Sequence, residues 1–442
     1  MKFKFLLFLV SIALLPACHS LGQVNCIANS PTAKLPLVCQ FPVSAQTLSV
    51  KTFGSAAFGP ALAAAVPINA AIAAQLTQLP VPSATVGVVS LKRKGSEVPV
   101  PFDNLGPILT DRPDTVGRGH VFSGFGYQHF NFNALDGFNL KSLPIGYTFS
   151  DAAGAVDPKV HYGFMDNSIK FKLDQYIILA TLGVTRTTDI SISIPFNSVD
   201  VSVTSRNFTA YEYDINNHYY SNHGYIGNPE ASSSGSAAGL GDITIGMKQM
   251  LLGQEHNRSA AAVGATFRFP SGDSLNYLGS GALGGSLFGL VEYRARFAPH
   301  GKLSYSWNST TKILNLQSST ASTRLPGGLQ YALGTDFRVN PKLTLTADIL
   351  GGQFVNTPNF VQTSYAFNPL PEPNSGVPAE YKLVSTPANT YTTVNFSGGA
   401  KWSPFPHFLI YGNALLQIND VGLRSDVVPL VGIAYNFHKG TR

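Results

Sequence analysis

Charge is scarce in this sequence. Asp, Glu, Lys and Arg make up 12% of its 442 residues, about half of the ~25% usual for a soluble domain. The shortage does not signal a bundle of membrane helices. Mean hydropathy is only +0.09, and no apolar run approaches the ~20 residues that a spanning helix needs. Clustered basic charge is also lacking. The longest basic stretch is Leu91 to Lys94 (LKRK), so a net charge of +6 comes without the basic patch that nucleic-acid binding requires. The glycine-rich stretches Gly351 to Phe354 (GGQF) and Ser234 to Asp242 (SGSAAGLGD) have neither the strand–glycine–helix context nor the lysine of a phosphate cradle. Cysteine is limited to Cys18, Cys26 and Cys39.

What is present is aromatic and glycine-rich: 29 Phe, 18 Tyr and 42 Gly. Little charge with near-neutral hydropathy suits strands that are apolar on one face and polar on the other. Aromatics then form interfacial girdles, and glycines serve curvature and turns.

The N-terminus reads as an export signal over residues 1–22, with Lys2 and Lys4 ahead of the apolar stretch Phe5 to Leu15. Ser20-Leu21-Gly22 resembles a signal peptidase site, whereas Leu15 to Cys18 (LPAC) resembles a lipoprotein box. In either case Cys26 and Cys39 remain as a pair, and an oxidising compartment favours a disulfide between them. Residues 23–118 lack strand alternation and are expected to form a periplasmic or plug segment. Within it, a helix is predicted over 60–79, because Ile68, Ile72, Leu76 and Leu79 recur at helical spacing between Pro60 and Pro80. Either it plugs the lumen or it packs on the barrel base, with a kink at Pro67.

From Gly119 the texture becomes period two. In Lys342 to Leu350, Leu343, Leu345, Ala347 and Ile349 share one face, and Thr344, Thr346 and Asp348 share the other. Thr393 to Trp402 and Phe288 to Phe297 repeat the pattern. We expect about twelve strands within 119–437, near 119–132, 167–185, 189–206, 240–251, 258–270, 284–297, 302–315, 323–339, 342–354, 390–403, 407–418 and 428–437. Short turns alternate with long loops between them, as in a transmembrane antiparallel β-barrel. Residues 438–442 form a short periplasmic tail. The expected fold is therefore all-β, with a partly helical N-terminal segment.

Several stretches, in order along the chain, resemble the outer-membrane family named for the MetA-pathway of phenol degradation. They are Gly119 to Phe132 (GHVFSGFGYQHFNF), Leu182 to Phe196 (LGVTRTTDISISIPF), Gly239 to Lys248 (GLGDITIGMK), Phe267 to Asp273 (FRFPSGD) with Leu278 to Gly281 (LGSG), and Leu423 to Phe437 (LRSDVVPLVGIAYNF). The likeness covers roughly residues 105–437. A more distant one is to the long-chain fatty acid transporters, which share an N-terminal plug ahead of a barrel. The resemblance implies an outer-membrane barrel that passes small hydrophobic or aromatic compounds. The closing strand, ending at Phe437, resembles the signal read by barrel-assembly machinery. Outer-membrane lipid and such solutes are then the partners.

If apolar faces meet lipid, alternation sends Lys170, Lys172, Lys248, Arg268, Arg294, Arg296, Arg338 and Lys401 into the lumen, with Asp174, Asp242, Glu292, Asp336 and Asp348. Such a set either forms a constriction favouring anions or pairs internally and fills the core. Asp242 and Asp273 are too sparse for a calcium loop. His218, His223 and Asp214 sit in a Tyr- and Asn-rich loop that reads as a recognition surface. Ser123 and His129 share a strand, but about 20 Å apart at ~3.3 Å per residue, too far for catalysis. We therefore expect no enzyme, metal or cofactor, but a passive uptake channel. The competing reading is a structural or adhesive barrel that binds a partner through loops 207–239 and 355–389.

Overall fold

The computed structural model describes residues 26, 35–53, 58–76, 105–150, 158–225, 230–253, 257–311, 323–405 and 407–437. The predicted signal, Cys18, the end of the predicted helix (77–79) and the tail 438–442 lie outside them. Twelve strands form the wall: β1 (Val121–Phe132), β2 (Lys159–Gly183), β3 (Thr188–Asp214), β4 (Ile243–Leu252), β5 (Ser259–Phe269), β6 (Gly284–Tyr293), β7 (Phe297–Asn308), β8 (Gly327–Asn340), β9 (Leu343–Pro358), β10 (Ala388–Trp402), β11 (Phe408–Gln417) and β12 (Val427–Phe437). Each pairs antiparallel with the next, and β1 pairs with β12 from Val121↔Phe437 to Gln128↔Leu430. The barrel is closed, so its wall has no free edge.

The alternation that predicts the strands also explains them. In β12 the exposed Val431, Ile433, Tyr435 and Phe437 alternate with buried Leu430, Ala434 and Asn436. In β9, Leu345 and Ile349 point outward while Thr344, Thr346 and Asp348 are buried inside. Around the ring the outward side chains form an apolar belt, with Leu287, Val291 and Leu333 58%, 60% and 63% exposed. Water penalises such surface by about 25 cal/mol per Å²; a bilayer removes that penalty. From β6 to β10 the side facing in is largely polar, with Glu292, His300, Asp336, Asp348 and Lys401 buried, whereas on β1 to β3 it is largely apolar, with Phe122, Phe130, Ile177 and Val201 buried.

The wall is uneven in height. β2 has 25 residues and β3 has 27, far more than the ~9–11 needed to cross a membrane. The lower part of β3 pairs with β4, and its upper part pairs with a further strand, Ala231–Leu240. Leu143–Ser150 extends the same sheet beside upper β2. A separate hairpin, Val361–Ala366 with Glu380–Ser385, leans on this collar. One expected turn moves. Ala298 to Gly301 belongs to β7, whose register reaches Glu292↔His300, and the turn is Arg294 to Arg296.

Two helices, α1 (Gln40–Phe53) and α2 (Phe58–Leu76), occupy the lumen in its long-loop half. α1 packs on β3 and the strand beside it, and α2 contacts β9 on the opposite wall. This excludes packing on the barrel base. α2 runs through Pro67. Leu48, Ile68, Ala71 and Ala74 are completely buried, and Cys26 is disulfide-bonded to Cys39, just ahead of α1.

Candidate functional site

The short-turn half of the lumen is filled by residues 105–118, which link the helices to β1. This segment has no regular secondary structure, and its polar groups are met by the wall. The Leu105 N–H donates to Thr344 Oγ1 (3.0 Å), and the Val116 N–H donates to Asp189 Oδ2 (3.1 Å). Lys401 Nζ donates to the carbonyls of Leu105 (3.0 Å) and Pro107 (2.5 Å). Lys248 Nζ donates to those of Arg112 (2.8 Å) and Asp114 (2.6 Å). Arg112 reaches Asp114 (2.7 Å) and Glu292 (3.4 Å), Asp114 pairs also with Arg294, and Lys302 pairs with Asp111 at 3.0 Å. The segment is thus a stopper fastened to at least six strands by ionic and polar contacts. At its exit, a side chain on Gly183 would collide with the carbonyl of Gly117, so two backbones meet where no Cβ fits.

Beside the stopper, against Thr110, lies a carboxylate–imidazole group. His300 Nε2 is 2.6 Å from Asp348 Oδ1, and its Nδ1 is 3.6 Å from Asp336 Oδ2. Thr110 Oγ1 reaches Asp348 at 3.5 Å. All three side chains are buried, and the surrounding cations offset what isolated buried carboxylates would cost.

The sequence-predicted residues divide accordingly. Lys248, Glu292, Arg294, Asp336, Asp348 and Lys401 gather around the stopper. Arg268 stands at the opposite end of the lumen, where it pairs with Asp242 (3.7 Å) and donates to Asn308 Oδ1 (2.6 Å). Arg296 and Arg338 lie at the short-turn rim, Arg296 donating to the Arg338 carbonyl and covering the Phe337 ring. Lys170, Lys172 and Asp174 correct the expectation. They point outward, because Ile169, Phe171 and Leu173 are the buried set. Here the apolar face of β2 points into the buried core, with the Phe171 ring 5.4 Å from that of Tyr277 in loop 270–283, instead of meeting lipid. Outside, Asp174 accepts from Tyr127 (2.6 Å) and lies 2.7 Å from His129 Nδ1.

Asp242 accepts from the backbone of Gly272 and Ser280 and organises loop 270–283. Asp214 caps a turn through Asn217, and His218 meets Tyr213 OH at 3.1 Å. Among the described residues no group of His, Cys, Asp and Glu is arranged to hold a metal.

Three features had no clear sequence signal: the stopper, His300 and Asp136. Asp136, in a tight turn with φ 48°, accepts from Gln75 of α2 (3.4 Å), Phe360 N (2.7 Å) and Gly422 N (2.8 Å). It joins the plug to two loops. Burial pushes its carboxyl above the usual range, against the pull of these donors.

At the long-loop end, upper β2 and β3, Leu143–Ser150 and the Val361–Ala366/Glu380–Ser385 hairpin enclose an open cleft of about 380 Å³. Phe164, Tyr211 and Tyr381 line it with Asp166, Glu380 and Lys382. Behind it Tyr162, Tyr213, Tyr220 and Phe367 form a buried aromatic cluster, with Tyr162 and Phe367 4.7 Å apart edge to face.

No protein-family model matches the chain, and no curated protein matches it in sequence. Among solved structures, it is similar to the COG4313 outer membrane channel from Pseudomonas putida F1, with a TM-score of 0.43. They share 12% identity over 74% of this chain and 100% of that one. A deltaS2 mutant of the TodX monoaromatic hydrocarbon channel gives a TM-score of 0.35 at 11% identity, over 73% of this chain and 91% of that one. OmpF of Salmonella typhi, in complex with daunomycin, gives 0.26 at 11%, over 73% and 98%. What the chain itself displays is a closed twelve-stranded antiparallel barrel with its own N-terminal segment inside.

Proposed function

We propose that this protein is an outer-membrane channel for passive uptake of small hydrophobic or aromatic compounds, closed at rest by residues 105–118. The observation that carries the reading is how the stopper is held. Its charged and polar groups are met by ion pairs and hydrogen bonds to the wall, which can exchange for water, while Leu105, Ile108, Leu109 and Val116 pack into the buried core. The aromatic cleft at the other end has the size and mixed lining of a small-molecule site, typically ~300–1,000 Å³. With the short turns in the periplasm, the cleft faces outward and the stopper guards the inner mouth. The lumenal lysines and arginines then hold the gate closed, and they line a path only once it has moved.

The test is liposome swelling and single-channel conductance with the full chain and with a variant lacking residues 105–116. The full chain should pass a neutral aromatic slowly and rarely open, whereas the deletion should conduct continuously. A folded deletion variant that stays impermeable overturns the proposal. The collar and its hairpin also favour the adhesive reading, since they present a built surface. Removing residues 359–387 separates the two: a channel keeps or gains flux, and an adhesin loses its partner and shows no flux in either form.

A further inference from the structure

A second, smaller cavity lies inside the wall beside the end of α2, where Gln75, upper β1, β10 and β11 meet the segment 421–425. It measures about 60 Å³ and is partly open. Phe130, Phe132, Phe354 and Tyr391 give it apolar walls. The first two rings stack at 5.6 Å, and the other two are tilted at the same distance. One cation lines it: Arg424, only 7% exposed.

The environment of that cation is unusual. Arg112 has Asp114 and Glu292, and Lys248 has Asp189 at 4.0 Å. Arg424 has two neutral amides. Its Nη1 donates to Asn395 Oδ1 (2.9 Å) and its Nη2 to Asn419 Oδ1 (2.5 Å). The Nε–H is buried with no acceptor among the described residues. Asn419 is itself anchored, accepting from the Val394 N–H (2.9 Å) and donating to the Thr392 carbonyl (2.7 Å). The guanidinium is therefore oriented by Asn419 and largely out of water; among the described residues no carboxylate is in contact with it, Asp420 and Asp136 acting on it only from farther off. A buried charge of this kind is costly unless it is paired. Its planar donor fork matches a carboxylate better than any other common group.

We propose that Arg424 is an anion-binding centre of the lumen and that its ligand is a small organic carboxylate with a flat apolar body. This deepens the uptake reading and rests on it for the route by which the ligand arrives. The carboxylate sits on the guanidinium, and the first carbons lie against the phenylalanine rings. An enclosed volume of 60 Å³ is well below the ~150 Å³ cavity that takes a whole benzene ring. The rest of the ligand therefore extends through the open side. Neutral aromatics of the same shape lack the ion pair and bind more weakly.

The experiment is calorimetric titration of the refolded full chain with benzoate, benzamide and chloride, repeated on Arg424→Gln and Arg424→Lys. Folding is judged by resistance to unfolding in cold detergent. Wild type should bind benzoate at least tenfold tighter than benzamide. Arg424→Gln should equalise the two, and Arg424→Lys should keep part of the preference. Equal affinities in wild type overturn the proposal, whether or not the glutamine variant folds. So does a folded Arg424→Gln that retains the preference, and so does chloride binding as tightly as benzoate. Flux of both solutes is measured in parallel. Arg424-dependent binding without flux of either solute sinks the uptake reading alone; flux with equal binding sinks the carboxylate site alone.

Discussion

Replacing Arg112 with glutamine should open the channel. Arg112 is 4% exposed and bridges Asp114 of the stopper and Glu292 of the wall. Its removal leaves Glu292, whose side chain is fully buried, without its cation. Breaking one side of a buried pair costs about 3–5 kcal/mol, and each 1.4 kcal/mol is a factor of ten in an equilibrium. The wall is joined strand to strand independently of Arg112, so the cost falls on the closed position of the stopper. Taking the lower figure of ~3 kcal/mol, the open fraction rises by roughly a hundredfold. Single-channel recording in planar bilayers reads this directly as dwell time. The double variant Arg112→Gln/Glu292→Gln supplies the control: with both charges gone the penalty largely disappears, and openings should fall back toward wild type. If the single variant is folded and its open fraction is unchanged, the ion pairs do not hold the gate and the reasoning fails. If the double variant opens as much as the single one, the cost does not come from the stranded carboxylate.

Four further outcomes are expected. Leu333→Arg, in mid-belt, should destabilise the barrel by about 2–4 kcal/mol in urea titrations of vesicle-embedded protein, and an unchanged midpoint would place that face away from lipid. Cys39→Ser opens the Cys26–Cys39 bond, which spans 13 residues; it should loosen the helical plug by about 3 kcal/mol, seen as faster proteolysis of α1 with the barrel intact. Tyr381→Ala should slow uptake of a dilute aromatic several-fold yet leave conductance unaltered, and equal slowing at saturating solute would argue against a capture role for the cleft. Because the folded pKa of Asp136 is raised, its contribution is greatest below the unfolded value and declines as pH rises through the folded one. The α2 junction should therefore be at least as protease-resistant at pH 5 as at pH 7, and release on acidification would contradict the sign.

The wall was legible because lipid outside and polar groups inside impose a single rule, and Leu343 to Ile349 obey it plainly. Where another partner replaced lipid, the same rule inverted. Upper β2 turns Ile169, Phe171 and Leu173 into the buried core, so Lys170 and Lys172 face outward. α1 carries no apolar periodicity, because its buried face includes Gln40, Ser44, Gln46 and Ser49. Ser44 is satisfied by Ser205 Oγ and the Ala231 carbonyl, far away in sequence. The stopper and Arg424 were hidden for a related reason. Their partners are brought near only by ring closure, and a loop such as 419–427 carries no local sign of what it will face. His300 lies in Ala298 to Gly301, a stretch that falls between two alternating runs in sequence yet pairs as part of β7.

The tall strands have a consequence for how the protein meets its surroundings. At ~3.3 Å per residue, the 27 residues of β3 extend about 90 Å along the chain, and roughly half of that stands clear of the bilayer. Many bacterial surfaces carry a dense coat of sugar. On the uptake proposal, the collar would lift the cleft through that layer like an intake raised above silt, and a solute would not have to diffuse through the coat to find the entrance. Shortening the collar by equal lengths from β2, β3 and their neighbours would leave the ring intact and, on the same proposal, sink the cleft into the coat.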